Sequence, residues 1–205
     1  MEIVLEKISL RETWRRFKMD IHAFARHTCI EKLSWRKWLS CFMTPGIQVL
    51  VLYRLSHYFF VKGHGVIARF FYTLNLVIFG ADIGIASDIG GGCYIPHPVG
   101  LVIYGDLREN IYISHLVGIG GGRISDADVG AGPGLPVIES DVYIGAKSSI
   151  HGPIRIGRGS LIGLHALVIK DVPPNTIAMG VPARNTRRLS PGELETITLI
   201  PPKKL

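Results

Sequence analysis

The sequence predicts a mainly β fold, a parallel β-helix of hexapeptide repeats, with an α-helical region ahead of it. The first observation is a six-residue beat. Ile83, Ile89, Ile95, Leu101, Leu107, Ile113 and Ile119 fall on it, and it resumes at Ile138, Ile144, Ile150, Ile156, Ile162 and Val168. Ile, Leu and Val make up 61 of 205 residues, so an all-aliphatic run in one frame arises by chance with odds on the order of 10⁻⁷. A helix has no use for period six, whereas a chain that turns a corner every sixth residue does. The second observation is the glycine that often follows (Gly84, Gly90, Gly120, Gly145, Gly157, Gly163), where the backbone bends without a Cβ. The third is a small or β-branched residue four after the aliphatic one: Ser87, Cys93, Val99, Val117, Val142, Ser148, Ser160 and Ala166. Three hexads close one coil, so residues 18 apart are expected to stack.

Residues 1–80 are expected to be helical. Ser9 is a natural N-cap and Glu12 completes a capping box for a helix over residues 9–28. Trp14, Phe17, Ile21, Phe24 and Ala25 form its apolar stripe. A shorter helix follows over residues 34–43. Pro45 opens another, to about Val61, with Val49, Leu52, Leu55 and Phe59 on one side. After the Gly63-His64-Gly65 turn comes a strongly apolar helix from Val66 to Phe79. It is too short to cross a bilayer, which takes about 20 apolar residues. The β-helix then occupies residues 81–172, interrupted at 120–136 by a Gly-rich, period-breaking loop. Pro173-Pro174 ends the ladder, because proline cannot donate to it, and residues 173–205 form a C-terminal tail.

Charge is unevenly placed. The formal net charge is +7, and residues 1–80 carry all of it; residues 81–205 balance. That excess suits either a solvated helical face or contact with an anionic surface. Cys29, Cys41 and Cys93 have no metal-ligand spacing, and their odd number points to a reducing compartment. The first residues lack the basic-then-apolar order of a signal peptide. A cytoplasmic location is therefore expected, with contact at the inner face of the membrane as the competing reading. No nucleic-acid partner is expected.

His97 and His115 are the candidates for chemistry. They are one coil apart, so their imidazoles should be neighbours. Asp82 lies close to an adjacent corner. A carboxylate bonded to one ring nitrogen fixes a histidine's tautomer and raises its basicity, which suits it to take a proton from an alcohol. His151 and His165 have no evident partner and read as outer-face or subunit-contact residues. Zinc would need a third ligand beside His97 and His115, and none is evident, so no metal is expected. Toward the C-terminus, Lys170 and Arg184 are cations near the small residues Gly145, Ala146 and Gly163. That combination suits a phosphorylated, extended ligand.

The segments IGGGCYI, YIPHPVGLVI and VIKDVPPNTIAMGVPAR, together with the hexads, resemble the hexapeptide-repeat acyltransferases. The resemblance covers residues 44–188. It is greatest to the serine acetyltransferase group and its relatives that O-acetylate surface polysaccharides. It implies a left-handed β-helix, a homotrimer or dimer of trimers with active sites between subunits, and acetyl-CoA as donor. It also implies His97 as general base, Asp82 as its orienting group, and Gly145, Ala146, Gly163, Lys170 and Arg184 along the coenzyme. Pro96 stands where serine acetyltransferases place an aspartate, and Gly134-Leu135 where they carry Arg-His. His115 stands where they typically have glutamine. These departures point to an acceptor site, with Pro96 and His115, for a sugar hydroxyl in surface polysaccharide biosynthesis. Serine O-acetylation is the alternative, and a non-catalytic scaffold or membrane-surface protein the alternative of another class.

Overall fold

The computed structural model describes residues 8–28, 34–121, 134–190 and 192–193. Four helices lead: α1 (Leu10–His27), α2 (Trp35–Phe42), α3 (Pro45–Val61) and α4 (Gly65–Phe79). The Ser9 hydroxyl accepts from the Glu12 amide at 3.1 Å. The capping box is only half made, because the Glu12 carboxylate turns outward to Arg15 and Arg16. Gly80, with φ +62°, ends α4 in the left-handed region and turns the chain into the first coil.

The strands follow in threes. β1 (Ala81–Ile83) and β2 (Asp88–Ile89) lead to a bridge at Tyr94. Next come β3 (Leu101–Ile103), β4 (Asp106–Leu107) and β5 (Tyr112–Ile113), then β6 (Gly118–Gly120), β7 (Val137–Ile138) and β8 (Tyr143–Ile144). β9 (Ser149–His151), β10 (Arg155–Ile156) and β11 (Leu161–Ile162) make the fourth coil. β12 (Leu167–Val168) begins the last, which closes on the hairpin β13 (Thr176–Gly180) and β14 (Ala183–Arg188). The strands stack into three sheets: β1-β3-β6-β9-β12, β2-β4-β7-β10 and β5-β8-β11-β13-β14. Every rung is parallel except the β13/β14 hairpin. The result is a left-handed parallel β-helix. All the aliphatic residues on the six-residue beat are buried inside it, none above 2% exposure.

The stacking is not uniformly 18 residues. Ile83 pairs with Ile103, twenty on, and Ile103 with Ile119, sixteen on. Two extra residues enter between Ile95 and the turn at Val99-Gly100, and the next coil is shorter by two. Val99 therefore points outward at 64% exposure, whereas the other described residues four after the beat are buried, and Pro98 is buried. The lengthened segment, which includes Pro96-His97-Pro98, contains one of the two candidate histidines.

Helices α1 and α3 lie directly on the first coil. A Cβ on Gly46 would come within 1.8 Å of the Ile95 carbonyl oxygen, and one on Gly91 within 2.7 Å of the Met19 sulfur. At Gly46 the obstacle is backbone, so only glycine permits that approach. The buried face of α3 differs from the expected one: Leu52, Leu55 and Phe59 are half-buried, and Ile47, Leu50, Tyr53, Arg54 and His57 face inward with Val49. That face is polar because it meets coil carbonyls. Arg54 donates to Ile89 O and Gly90 O and pairs with fully buried Asp20 of α1.

His57 is the titrating group of this interface. Its Nδ1 donates to the Ile85 carbonyl at 2.9 Å, and burial lowers its pKa below the ordinary 6.5. The unfolded chain binds a proton here that the folded chain refuses, so stability falls as pH drops below about 6.5. His57→Gln should shrink the difference in urea unfolding free energy between about pH 7.5 and about pH 5.5, by about 1 kcal/mol. An unchanged difference would assign this acid sensitivity to another group.

Candidate active site

One corner of the triangular coil, between the β5-containing sheet and the β1-containing sheet, carries most of the expected site. His97 and His115 occupy it on successive coils. Their ring centroids are 6.2 Å apart and their planes near perpendicular at 78°. The next coils continue the corner with Gly145-Ala146 and then Gly163. The ladder of turn hydrogen bonds shows the stacking: Leu116 N donates to Val99 O, Lys147 N to His115 O, and His165 N to Ala146 O. Small side chains are required there. A Cβ on Gly145 would meet the Ile162 oxygen at 2.8 Å, and one on Gly163 the Met179 Cβ at 2.9 Å. Arg184 sits opposite Met179 across the final hairpin, at the far end of the same corner. Lys170 does not join them. It follows β12, at the turn toward the β2-containing sheet, and is exposed.

Asp82 is on β1, beside Val102 on the adjacent strand. Two phenols hold it: Tyr72 of α4 donates to Oδ1 at 2.9 Å and Tyr104 to the same oxygen at 2.8 Å. Burial and the carboxylate together raise the Tyr104 pKa, and burial raises that of Tyr72, so both remain protonated donors. The expected Asp82–His97 hydrogen bond is not formed. The phenols take Oδ1, and Oδ2 accepts no hydrogen bond among the described residues.

Next to Tyr104 a groove of about 660 Å³ opens on the outer face of the β1-containing sheet. Its floor is Val102 and Gly118 to Gly121, its walls Tyr104 and His151, and its rim Gly134 and Leu135. Among the described residues no Asp, Glu, Lys or Arg lines it. Gly134 and Leu135 end the predicted 120–136 loop, whose residues 122–133 lie outside the described residues. Among the described residues no third His, Cys, Asp or Glu joins the histidines to form a metal-ligand cluster.

Tyr72, Tyr104 and the groove position of His151 were not expected from sequence. His151 follows the beat residue Ile150, so its outward direction was readable. Its neighbour was not, because β6 and β9 pair across the loop, Gly120 with His151, 31 residues apart.

No family model matches the chain. Among curated proteins it is 34% identical over 145 residues to the serine acetyltransferase of Mycobacterium tuberculosis, covering 70% of this chain and 61% of that one. It is 37% identical over 143 residues to the serine acetyltransferase of Salmonella typhimurium, covering 68% of this chain and 50% of that one. The chain thus spans only about half to three fifths of the length of these relatives. Among solved structures, the Neisseria gonorrhoeae serine acetyltransferase superposes with a TM-score of 0.77 at 28% identity, over 93% of this chain and 72% of that one. The Brucella abortus serine acetyltransferase in complex with coenzyme A gives 0.76 at 28%, over 88% and 70%. The soybean serine acetyltransferase complexed with serine gives 0.74 at 28%, over 86% and 70%.

Proposed function

The chain belongs to the serine acetyltransferase-like hexapeptide-repeat acyltransferases, and from that premise we propose that it transfers an acetyl group from acetyl-CoA to an acceptor hydroxyl. The observation that carries this reading is the corner itself: two adjacent imidazoles, continued by small residues and ending at Arg184. His97 takes the proton of the acceptor hydroxyl. The oxygen attacks the thioester carbonyl, and the C–S bond breaks from the tetrahedral adduct. The departing CoA sulfur takes the proton back from His97. Asp82, held by two phenols on Oδ1, makes no hydrogen bond to His97 in this structure; Oδ2 is the oxygen left to orient the imidazole once substrate is bound. His115 donates to the developing oxyanion or the acceptor. The pantetheine arm runs along Gly145, Ala146 and Gly163, and Arg184 meets its phosphates. A homotrimer would close the groove with a neighbouring subunit, and the enzyme would work in the cytoplasm.

L-Serine is the acceptor that the comparisons favour, because the similar proteins are serine acetyltransferases and one is complexed with serine. A neutral hydroxyl, such as that of a sugar in polysaccharide biosynthesis, is the second reading. Among the described residues the groove's lining carries no Asp, Glu, Lys or Arg, and this favours it, since Gly134 and Leu135 offer nothing to an amino acid's ammonium or carboxylate. Acetyl-CoA turnover with L-serine and with nucleotide- or lipid-linked sugars, in parallel, separates the two. Turnover with serine alone removes the sugar reading, and turnover with sugars alone removes serine.

A further inference from the structure

Helix α4 presents an apolar face that nothing among the described residues covers. Its buried side, Ala68 and Asn75, packs on α3. The opposite side is Val66, Phe70 and Val77, at helical spacing and 86%, 60% and 76% exposed, flanked by Ile67 and Ile78. The face has a charge signature as well. From residue 32 to residue 81 there is no Asp or Glu. Arg36, Lys37, Lys62 and Arg69 in this stretch are exposed, and none is in an ion pair among the described residues. Arg54, the remaining described cation, is buried against Asp20.

We infer that α4 docks the protein in plane on a bilayer surface rich in anionic lipid. Val66, Phe70 and Val77 enter the boundary between headgroups and acyl chains, and Lys62 and Arg69 meet lipid phosphates. At 15 residues the helix is about 22 Å long, short of the ~30 Å hydrocarbon core. Insertion along the surface uses its whole face, and spanning would not. No single described helix is long and apolar enough to cross a membrane. The bent pair of α2 and α3, at 77°, is committed elsewhere, since α3 carries Arg54 and His57 into the protein. A second copy on the same face is the weaker occupant. A copy would bring a second set of cations and, within residues 32–81, no carboxylate to meet them. Lipid phosphate supplies the missing charge, and an aromatic-aliphatic face beside cations is the composition of an interfacial helix.

The experiment uses the full chain, cosedimented with phosphatidylcholine vesicles with and without about 30% phosphatidylglycerol. Retention on the anionic vesicles is expected. The doubly substituted Phe70→Ser, Val77→Ser protein should bind them at least about tenfold more weakly. Lys62→Gln with Arg69→Gln should lose the preference for anionic lipid. All these side chains are exposed, so folding should survive, which circular dichroism checks. Three results would overturn the inference: no retention on either vesicle, retention unchanged in the Phe70, Val77 variant, or a changed oligomeric mass of that variant at unchanged retention. The last would make the face a contact between copies. Coenzyme turnover enters none of these readouts, so the inference stands or falls apart from the proposed reaction.

Discussion

His97→Ala lowers acetyl transfer by about 10²–10⁴-fold at saturating acetyl-CoA, the range for loss of a general base. The chemistry requires a base at this point, because a neutral hydroxyl is a poor nucleophile toward a thioester. His97 has the position for it. It stands on a two-residue insertion that widens the corner, 6.2 Å from the His115 ring centroid. Both Pro96 and Pro98 restrict the backbone around it. Because His97 is exposed, removing its ring leaves no cavity, and the variant should keep the thermal stability of the parent. Coenzyme affinity measured by calorimetry should also be kept, since Gly145, Ala146, Gly163 and Arg184 are untouched. Turnover near normal would take His97 out of the mechanism.

Arg54→Met destabilises the protein by about 3–5 kcal/mol, the cost of stripping one partner from a buried ion pair. The pair joins three parts of the chain. Arg54 of α3 donates twice to Asp20 of α1, at 3.1 Å each, and twice to first-coil carbonyls at Ile89 and Gly90. Asp20 also accepts from the Cys93 amide at 3.0 Å. Burial pushes the Asp20 pKa up and Arg54 opposes it; every group around the carboxylate donates, which suits the ionised form. Without Arg54 the carboxylate is left buried with backbone donors alone, and two carbonyls lose partners. Thermal unfolding should fall by about 2–4 °C for each kcal/mol in a chain of this size. Substituting Asp20→Leu together with Arg54→Met should recover part of the loss, because no charge then stays buried. A single Arg54→Met variant as stable as the parent would contradict the clamp.

The β-helix was legible because each corner must bury one aliphatic side chain, and the sequence repeats that demand at a period no other structure uses. The adjacency of His97 and His115 followed from the same count, as did the Gly145, Ala146, Gly163 corner. The count failed where the coil changes length. The two residues inserted around Pro96-His97-Pro98 moved Val99 outward, and the 31-residue spacing across the loop hid the pairing of Gly120 with His151. Periodicity also has no term for a contact between a helix and a coil. Tyr72 reaching Asp82 from α4, and Asp20 paired with Arg54, join residues whose proximity depends on how the helices lie on the first coil. The polar face of α3 was misread for that reason: hydrophobic spacing selected Leu52, Leu55 and Phe59, while the coil's carbonyls selected Arg54 and His57.

Acetyl transfer from acetyl-CoA to a hydroxyl at the His97 corner is read out by free thiol release from acetyl-CoA, with and without acceptor, for the parent and His97→Ala proteins side by side. Acceptor-dependent release is expected from the parent, and its near-abolition in His97→Ala with coenzyme binding retained. No release with any hydroxyl acceptor, and no coenzyme binding by calorimetry, would contradict it and leave a β-helix that serves as a scaffold.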